Sequence, residues 1–350
     1  MPRRYPPAYR RLDAPLWSGL VRALTIADGR LLLAERPIPD PEPDGVVVRV
    51  YGAGLNRADL LQRAGGYPAP PGSPADIPGM EFAGRVHAVG ANVRTPEIGE
   101  RVFGLVGGGA QAEYVAVPAR HCAPVPETLD LVSMGGVPEA FITAHDALVT
   151  QARLEVGEWM LVHAVGSGVG TAALQIAKAS GANVVGTSRT AEKLDRCRVL
   201  GLDAGIVPPA ASDGTLDVDA LVLSIIEATK GGANVTLDLT GGDYFVVDVS
   251  ASAVRGRIVL VGLVAGTSAT TPLAAIMGKR LMIVGTILRS RDAREKAAAT
   301  DAFVRDVVPL LEAGTLAPAV DTTLPLDRAD DAYEHLTSNA TFGKVILDCR

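Results

Sequence analysis

The sequence predicts an α/β protein in two parts, a doubly wound parallel sheet interrupting a smaller β-rich unit. Three observations carry this. From Pro138 to Leu288, apolar runs of five to seven residues alternate with helix-length segments. From Val21 to about Ala144, short runs rich in Val and aromatics are separated by Gly and Pro. After Leu288 the chain returns to mixed strands and helices. Strands buried on both faces of a parallel sheet read as continuous apolar runs between helices, whereas closely spaced strands without crossovers close into a compact barrel or sandwich.

The β-rich part contains VVVRVYGAG (46–54), EFAGRVHAVG (81–90), ERVFGLV (100–106) and QAEYVAVP (111–118). A helix is expected over 140–151, then a strand in WMLVHA, a glycine cluster and a helix over 171–179. NVVGTS (183–188) reads as a strand, 191–200 and 218–229 as helices, and 235–239, 257–263 and 281–288 as the remaining strands. A helix over 293–311, a strand in VDTTLPL, a short helix over 328–336 and a last strand in KVILDC complete the chain.

Composition narrows the function. A net charge of -6 disfavours generic binding to nucleic acid or anionic lipid, because the long-range field repels phosphates. Apolar stretches such as Leu221–Ile226 fall short of the roughly 20 residues that a bilayer span needs, so no membrane association is expected. The three cysteines, Cys122, Cys197 and Cys349, are scattered, which argues against a disulfide framework and for a reducing cytoplasm. Residues 1–20 carry Arg3, Arg4, Arg10 and Arg11 and four prolines without periodicity, and they lack the apolar core of a secretory signal. A loosely ordered extension is expected there.

HAVGSGVGTAALQIAKA links a strand end to a helix start. Gly166, Gly168 and Gly170, with Ser167 and Val169 between them, allow a tight turn and close approach of backbone to a pyrophosphate at the helix N-terminus. Thr171 stands where the third glycine of the common fingerprint would fall. The flanking strand and helix favour a dinucleotide site over an ordinary glycine-rich turn. About twenty residues further on, where an acid would hold an NAD ribose, the chain reads GTSRTAEK. Ser188, Arg189 and Lys193 suit the 2′-phosphate of NADPH, the alternative being solvated charges at a helix start.

GLNRADLLQRAGGYPAPPG, followed by DIPGMEFAG, resembles the zeta-crystallin-like quinone oxidoreductases of the medium-chain dehydrogenase/reductase superfamily, nearest the animal stress-induced NADPH quinone reductase subgroup. QAEYVAVP, PEAFITAHDAL, LRSRD and FGKVILD extend the resemblance over residues 21–350. It implies a GroES-like catalytic domain (21–143 and 289–350) around a Rossmann NADP-binding domain (144–288), the active site between them, and a homodimer. It also implies that zinc ligands of relatives are replaced. Asn56 and Met80 stand at the first-ligand and histidine positions while Glu81 remains, so no metal site is expected. His121 beside Cys122 has no second ligand pair.

The resemblance places Asn56 against nicotinamide or substrate, Tyr67 as a hydrogen-bond donor, and Asp59 near both, although Arg57 and Arg63 give Asp59 an equally good structural role. It puts Thr143 near the nicotinamide, Gly262, Leu263, Leu288 and Arg289 along the coenzyme, and Lys344 where the returning tail meets the cleft. Relatives often have a tyrosine covering the 2′-phosphate where this chain has IVPPA (206–210). The implied activity is zinc-independent hydride transfer from NADPH to a quinone, a small-molecule acceptor. An enone or enoyl-thioester reductase, and a non-catalytic NADPH-binding structural or RNA-binding protein, are the alternatives.

Overall fold

The computed structural model describes residues 19–350. Residues 1–18, and with them most of the expected extension, lie outside the described residues. Leu20 already opens the first strand, one residue earlier than the sequence suggests.

β1 (Leu20–Ala27) and β2 (Arg30–Pro37) form an antiparallel hairpin. Asp28 and Gly29 both have positive φ, which matches the right-handed twist of two short-looped strands. Next come β3 (Gly45–Gly54), α1 (Arg57–Arg63), β4 (Glu81–Val89), β5 (Arg101–Leu105), β6 (Tyr114–Pro118) and β7 (Cys122–Pro124). β3, β4, β5 and β7 pair in succession and β6 joins the other side of β3. The helix α1 was not among the expected elements.

After α2 (Pro138–His145) and a π-helical turn over Asp146–Gln151, the alternating part begins. It runs β8 (Trp159–Val162), α3 (Gly168–Ala179), β9 (Asn183–Thr187), α4 (Ala191–Val199), β10 (Ala204–Ile206), α5 (Val218–Thr229), β11 (Ala233–Asp238), α6 (Asp243–Ala251), β12 (Ser252–Leu260), α7 (Leu273–Lys279) and β13 (Met282–Gly285). The six strands are parallel in the order β10-β9-β8-β11-β12-β13. β8 and β11 are neighbours whose onward connections run in opposite directions along the sheet, and such a switch point opens a crevice at the carboxyl ends of the strands.

The expected helix over 293–311 is two helices, α8 (Ala293–Asp306) and α9 (Val308–Glu312). Pro309, in the first turn of α9, cannot donate to the preceding turn. β14 (Val320–Pro325), α10 (Ala329–Thr337) and β15 (Lys344–Asp348) follow, and β15 pairs antiparallel with β3, returning the tail to the first sheet.

Two cores result. Val46, Val48, Val50, Phe82, Val102, Val115 and Leu347 fill the first sheet. Met160, Val162, Val184, Val235, Leu237 and Val259 fill the parallel sheet, in one cluster with Phe141 of α2 and Phe103 of β5. Each fully buried Val, Leu or Phe contributes about 1.5–3 kcal/mol of transfer free energy. Because one cluster spans α2, β5 and β8, the two sheets share a packed floor beneath the crevice. Among the described residues no helix is long and apolar enough to cross a membrane.

Candidate active site in the cleft

The glycine turn leaves β8 and enters α3 at Ser167, the helix N-cap, whose Oγ accepts from the Gly170 amide at 3.1 Å. Gly170 is required by packing, since a Cβ there would lie 2.6 Å from the Ala164 carbonyl oxygen. A Cβ on Gly168 would meet the Lys344 side chain at 2.5 Å, and one on Gly166 would press on Lys193 and Phe342. Gly343 donates to the Gly166 carbonyl at 2.8 Å, tying the returning tail to the turn. Val169 packs against the core. The first amides of α3 have no intrahelical acceptor and, with the helix dipole, favour an anion.

Further along the same edge, Ser188 is buried at the end of β9, Arg189 is exposed, and Lys193 Nζ donates to the Asn339 carbonyl at 2.6 Å. Gly262 has no room for a side chain, because a Cβ would lie 2.5 Å from the Leu239 carbonyl oxygen. Leu263 is exposed beyond the end of β12. Leu288, which the resemblance sets along the coenzyme, packs its side chain into the main core.

Across the crevice, the start of α1 and the start of β15 meet. Lys344 Nζ donates to the Leu55 carbonyl (2.9 Å), to Asn56 Oδ1 (2.8 Å) and to Glu81 Oε1 (2.5 Å). Asn56 Nδ2 donates to the same Glu81 oxygen at 2.9 Å, and the Glu139 amide donates to Glu81 Oε2 at 2.9 Å. Glu81 is fully buried, and a Cβ on Gly54 would lie 2.3 Å from its Oε1. The ammonium thus bridges Asn56 and Glu81, two of the positions that the resemblance sets at the metal-binding set of zinc relatives. Met80 offers a buried thioether, and Glu81 is committed to a cation and two N–H donors, so these residues do not fit a zinc ion.

Asp59 is fully buried and accepts from the amides of Asn56 (2.8 Å) and Gly79 (3.2 Å). Burial pushes its carboxyl up to about 6, against the pull of those two amides and Lys344. Asp59 therefore positions Asn56. The arginines suggested as its partners go elsewhere, Arg57 to Asn339 and Arg63 to the Gly29 carbonyl.

Arg289 is buried as well. Its buried guanidinium donates to the Gly107 carbonyl (2.8 Å), the Tyr67 carbonyl (3.3 Å) and Gln62 Oε1 (2.6 Å), and lies 4.8 Å from the Tyr67 ring centroid. It braces the loop that carries Tyr67. The Tyr67 phenol, pushed up by burial, makes no hydrogen bond among the described residues.

Sequence reasoning missed Glu139. It occupies the first turn of α2 and is partly exposed, and its carboxyl has no hydrogen bond among the described residues. Burial, with the charge of Glu81 adding, pushes it up to about 7. Thr143, one turn along the same helix face, has a buried Oγ1 with no partner among the described residues. An orphaned buried hydroxyl in the crevice fits the carboxamide of a nicotinamide. A first-turn acid is an ordinary helix-start signal, so nothing in the sequence set Glu139 apart.

Residues 42–127 match the family model of the alcohol dehydrogenase GroES-like domain and residues 168–303 that of the zinc-binding dehydrogenases. The chain is 30% identical over 342 residues to quinone oxidoreductase-like protein 2 of Bos taurus, covering 95% of each. A solved alcohol dehydrogenase superfamily protein from Novosphingobium aromaticivorans is 31% identical, with a TM-score of 0.82 over 95% of this chain and 100% of that one. A solved NAD-dependent alcohol dehydrogenase is 30% identical, with a TM-score of 0.79 over 93% and 99%. The parallel sheet, the glycine turn and the crevice facing Asn56 accordingly belong to a nicotinamide-dependent oxidoreductase, and the chain is a member of the medium-chain dehydrogenase/reductase superfamily, related to the quinone oxidoreductases.

Proposed function

We propose that the protein is a zinc-independent, NADPH-dependent quinone reductase. The observation that carries this reading is the Lys344 ammonium bonded to Asn56 and Glu81, a protein cation where a dehydrogenase of this superfamily would place its Lewis acid. Such a site lacks the group that acidifies an alcohol but suits an acceptor already electrophilic enough to take hydride.

NADPH, when bound, supplies the hydride from its dihydronicotinamide ring. Ser188, Arg189 and Lys193 would hold its 2′-phosphate, and the α3 N-terminus after Gly166, Ser167 and Gly168 its pyrophosphate. Thr143 Oγ1 would orient the carboxamide. Asn56, fixed by Asp59, Glu81 and Lys344, would align nicotinamide and acceptor. A quinone that gains hydride becomes a hydroquinone monoanion and needs one proton. Tyr67 would donate a hydrogen bond to the developing oxyanion, and the protonated Glu139 would deliver the proton.

Glu139 also supports a second reading, an enone or enoyl-thioester reductase, in which the same proton goes to the carbon beside the carbonyl. The catalytic unit is read as 21–143 with 289–350, the coenzyme unit as 144–288, the assembly as a homodimer, and the location as cytoplasmic. The three thiols, all free and all pushed up by burial, accord with a reducing compartment.

Following NADPH oxidation with ortho- and para-quinones and with crotonyl-type thioesters tests the assignment. Quinone turnover by protein free of stoichiometric zinc is the expected result. Turnover confined to thioesters would replace it with the second reading.

A further inference from the structure

The sequence left the 2′-phosphate grip short of a tyrosine, and the structure supplies a different residue. Arg57, the first residue of α1, and Lys193, in the first turns of α4, belong to elements on opposite sides of the crevice. Both side chains end on one residue, Asn339. The Arg57 guanidinium donates to its side-chain oxygen, and Lys193 Nζ to its backbone carbonyl at 2.6 Å. Asn339 stands between α10 and β15 with a positive φ of 61°.

Arg189 completes the cluster. Its charge reaches both of the others, helping to lower the pKa of Arg57 and of Lys193 below their ordinary values, although burial is the larger cause in each. Among the described residues none of the three forms an ion pair with a carboxylate. The acid on this side, Asp321, is taken by His335 at 2.7 Å and Arg196 at 3.5 Å, and the Arg196 guanidinium lies over the Phe342 ring, 4.0 Å from its centroid. Three cations, of which Arg57 and Lys193 are held only by the neutral Asn339, amount to a site for a dianion, since a doubly charged phosphate gains charge-assisted bonds that an amide cannot offer.

We infer that Arg57 is a third ligand of the coenzyme's 2′-phosphate, reaching it from the catalytic side of the crevice, and that Asn339 holds Arg57 and Lys193 until the phosphate takes its place. This rests on the NADPH reading above and deepens it. The position has a consequence for the chemistry. Arg57 directly follows Asn56, the α1 N-cap bonded to Glu81 and Lys344, so a phosphate that seizes Arg57 pulls on the same turn that aligns the acceptor. The added phosphate group of NADPH would then fix the crevice as well as the coenzyme.

Titration calorimetry of the full chain with NADPH and with NADH tests the assignment without turnover. R57A is expected to weaken NADPH about tenfold, the loss of one charge-assisted contact, and to leave NADH within about twofold. N339G removes the competing side-chain oxygen and suits the positive φ. It is expected to tighten NADPH by about threefold and leave NADH unchanged. Circular dichroism would confirm that both variants fold. Equal losses for the two coenzymes in R57A, or unchanged NADPH binding, would overturn the role of Arg57. A wild-type chain that binds NADH as tightly as NADPH would instead remove the coenzyme reading on which the inference rests.

Discussion

At the scale of single residues, function depends on where protons and charges are held. Glu139 is a carboxyl whose acid form persists to about pH 7 because burial and the neighbouring Glu81 disfavour its charge. If it delivers the proton, kcat should be steady below pH 7 and fall above it. E139Q should lose about a hundredfold in kcat and show no such fall. Stability supplies an independent sign. The native pKa lies above the unfolded one, so ionisation of Glu139 works against folding as pH rises from about 4.5 towards 7. E139Q should therefore melt higher than wild type at pH 8 and no higher at pH 4, measured by thermal denaturation. A flat wild-type rate profile across pH 6–8 would remove Glu139 from the chemistry. Lys344 shows why this scale is hard to read in advance. The FGK segment marked it as meeting the cleft, yet its partners Asn56 and Glu81 stand 288 and 263 residues away. Only the pairing of β15 with β3 brings them together.

At the scale of elements, the chain was most legible where local pattern and tertiary demand agree. Between Trp159 and Thr229 the expected strands and helices fall within about two residues of their places, except α3, which begins three residues early because Ser167 caps it, while the three-residue strand β10 was not expected. Expectation failed where a single residue decides a boundary, as at Pro309 between α8 and α9, or where a short helix is fixed by long-range packing, as in α1 with its buried Asp59 and Gln62. The glycine turn joins both cases, since its glycines were visible but their reasons were not. Gly168 makes way for the stem of Lys344, and Gly170 for the Ala164 carbonyl. G170A should therefore destabilise the protein by about 2–4 kcal/mol and weaken coenzyme binding together, because the strain falls on the turn at the head of α3. Chemical denaturation and calorimetry would read the two effects. A G170A protein of wild-type stability would show that the backbone relaxes there at little expense.

At the scale of the molecule, the parallel sheet ends on β13, an edge strand with unpaired backbone groups on its outer side. Its neighbourhood is unusually apolar, with Leu273 and Met277 of α7, Met282 of β13, and Ile287 just beyond it all exposed. Exposed apolar side chains beside an edge strand favour a second copy over water, and a two-fold axis there would join two six-stranded sheets into one. The cleft opens on the carboxyl ends of the strands, not on this edge, so such a dimer would leave it accessible. Multi-angle light scattering should return twice the chain mass of 36.3 kDa. M282R places a charge on the joining strand and should shift the population to monomer, while NADPH binding persists because the glycine turn and the cations around Asn339 lie within one chain. A wild-type protein that scatters as a monomer at micromolar concentration would mean that this apolar edge serves some purpose other than self-association.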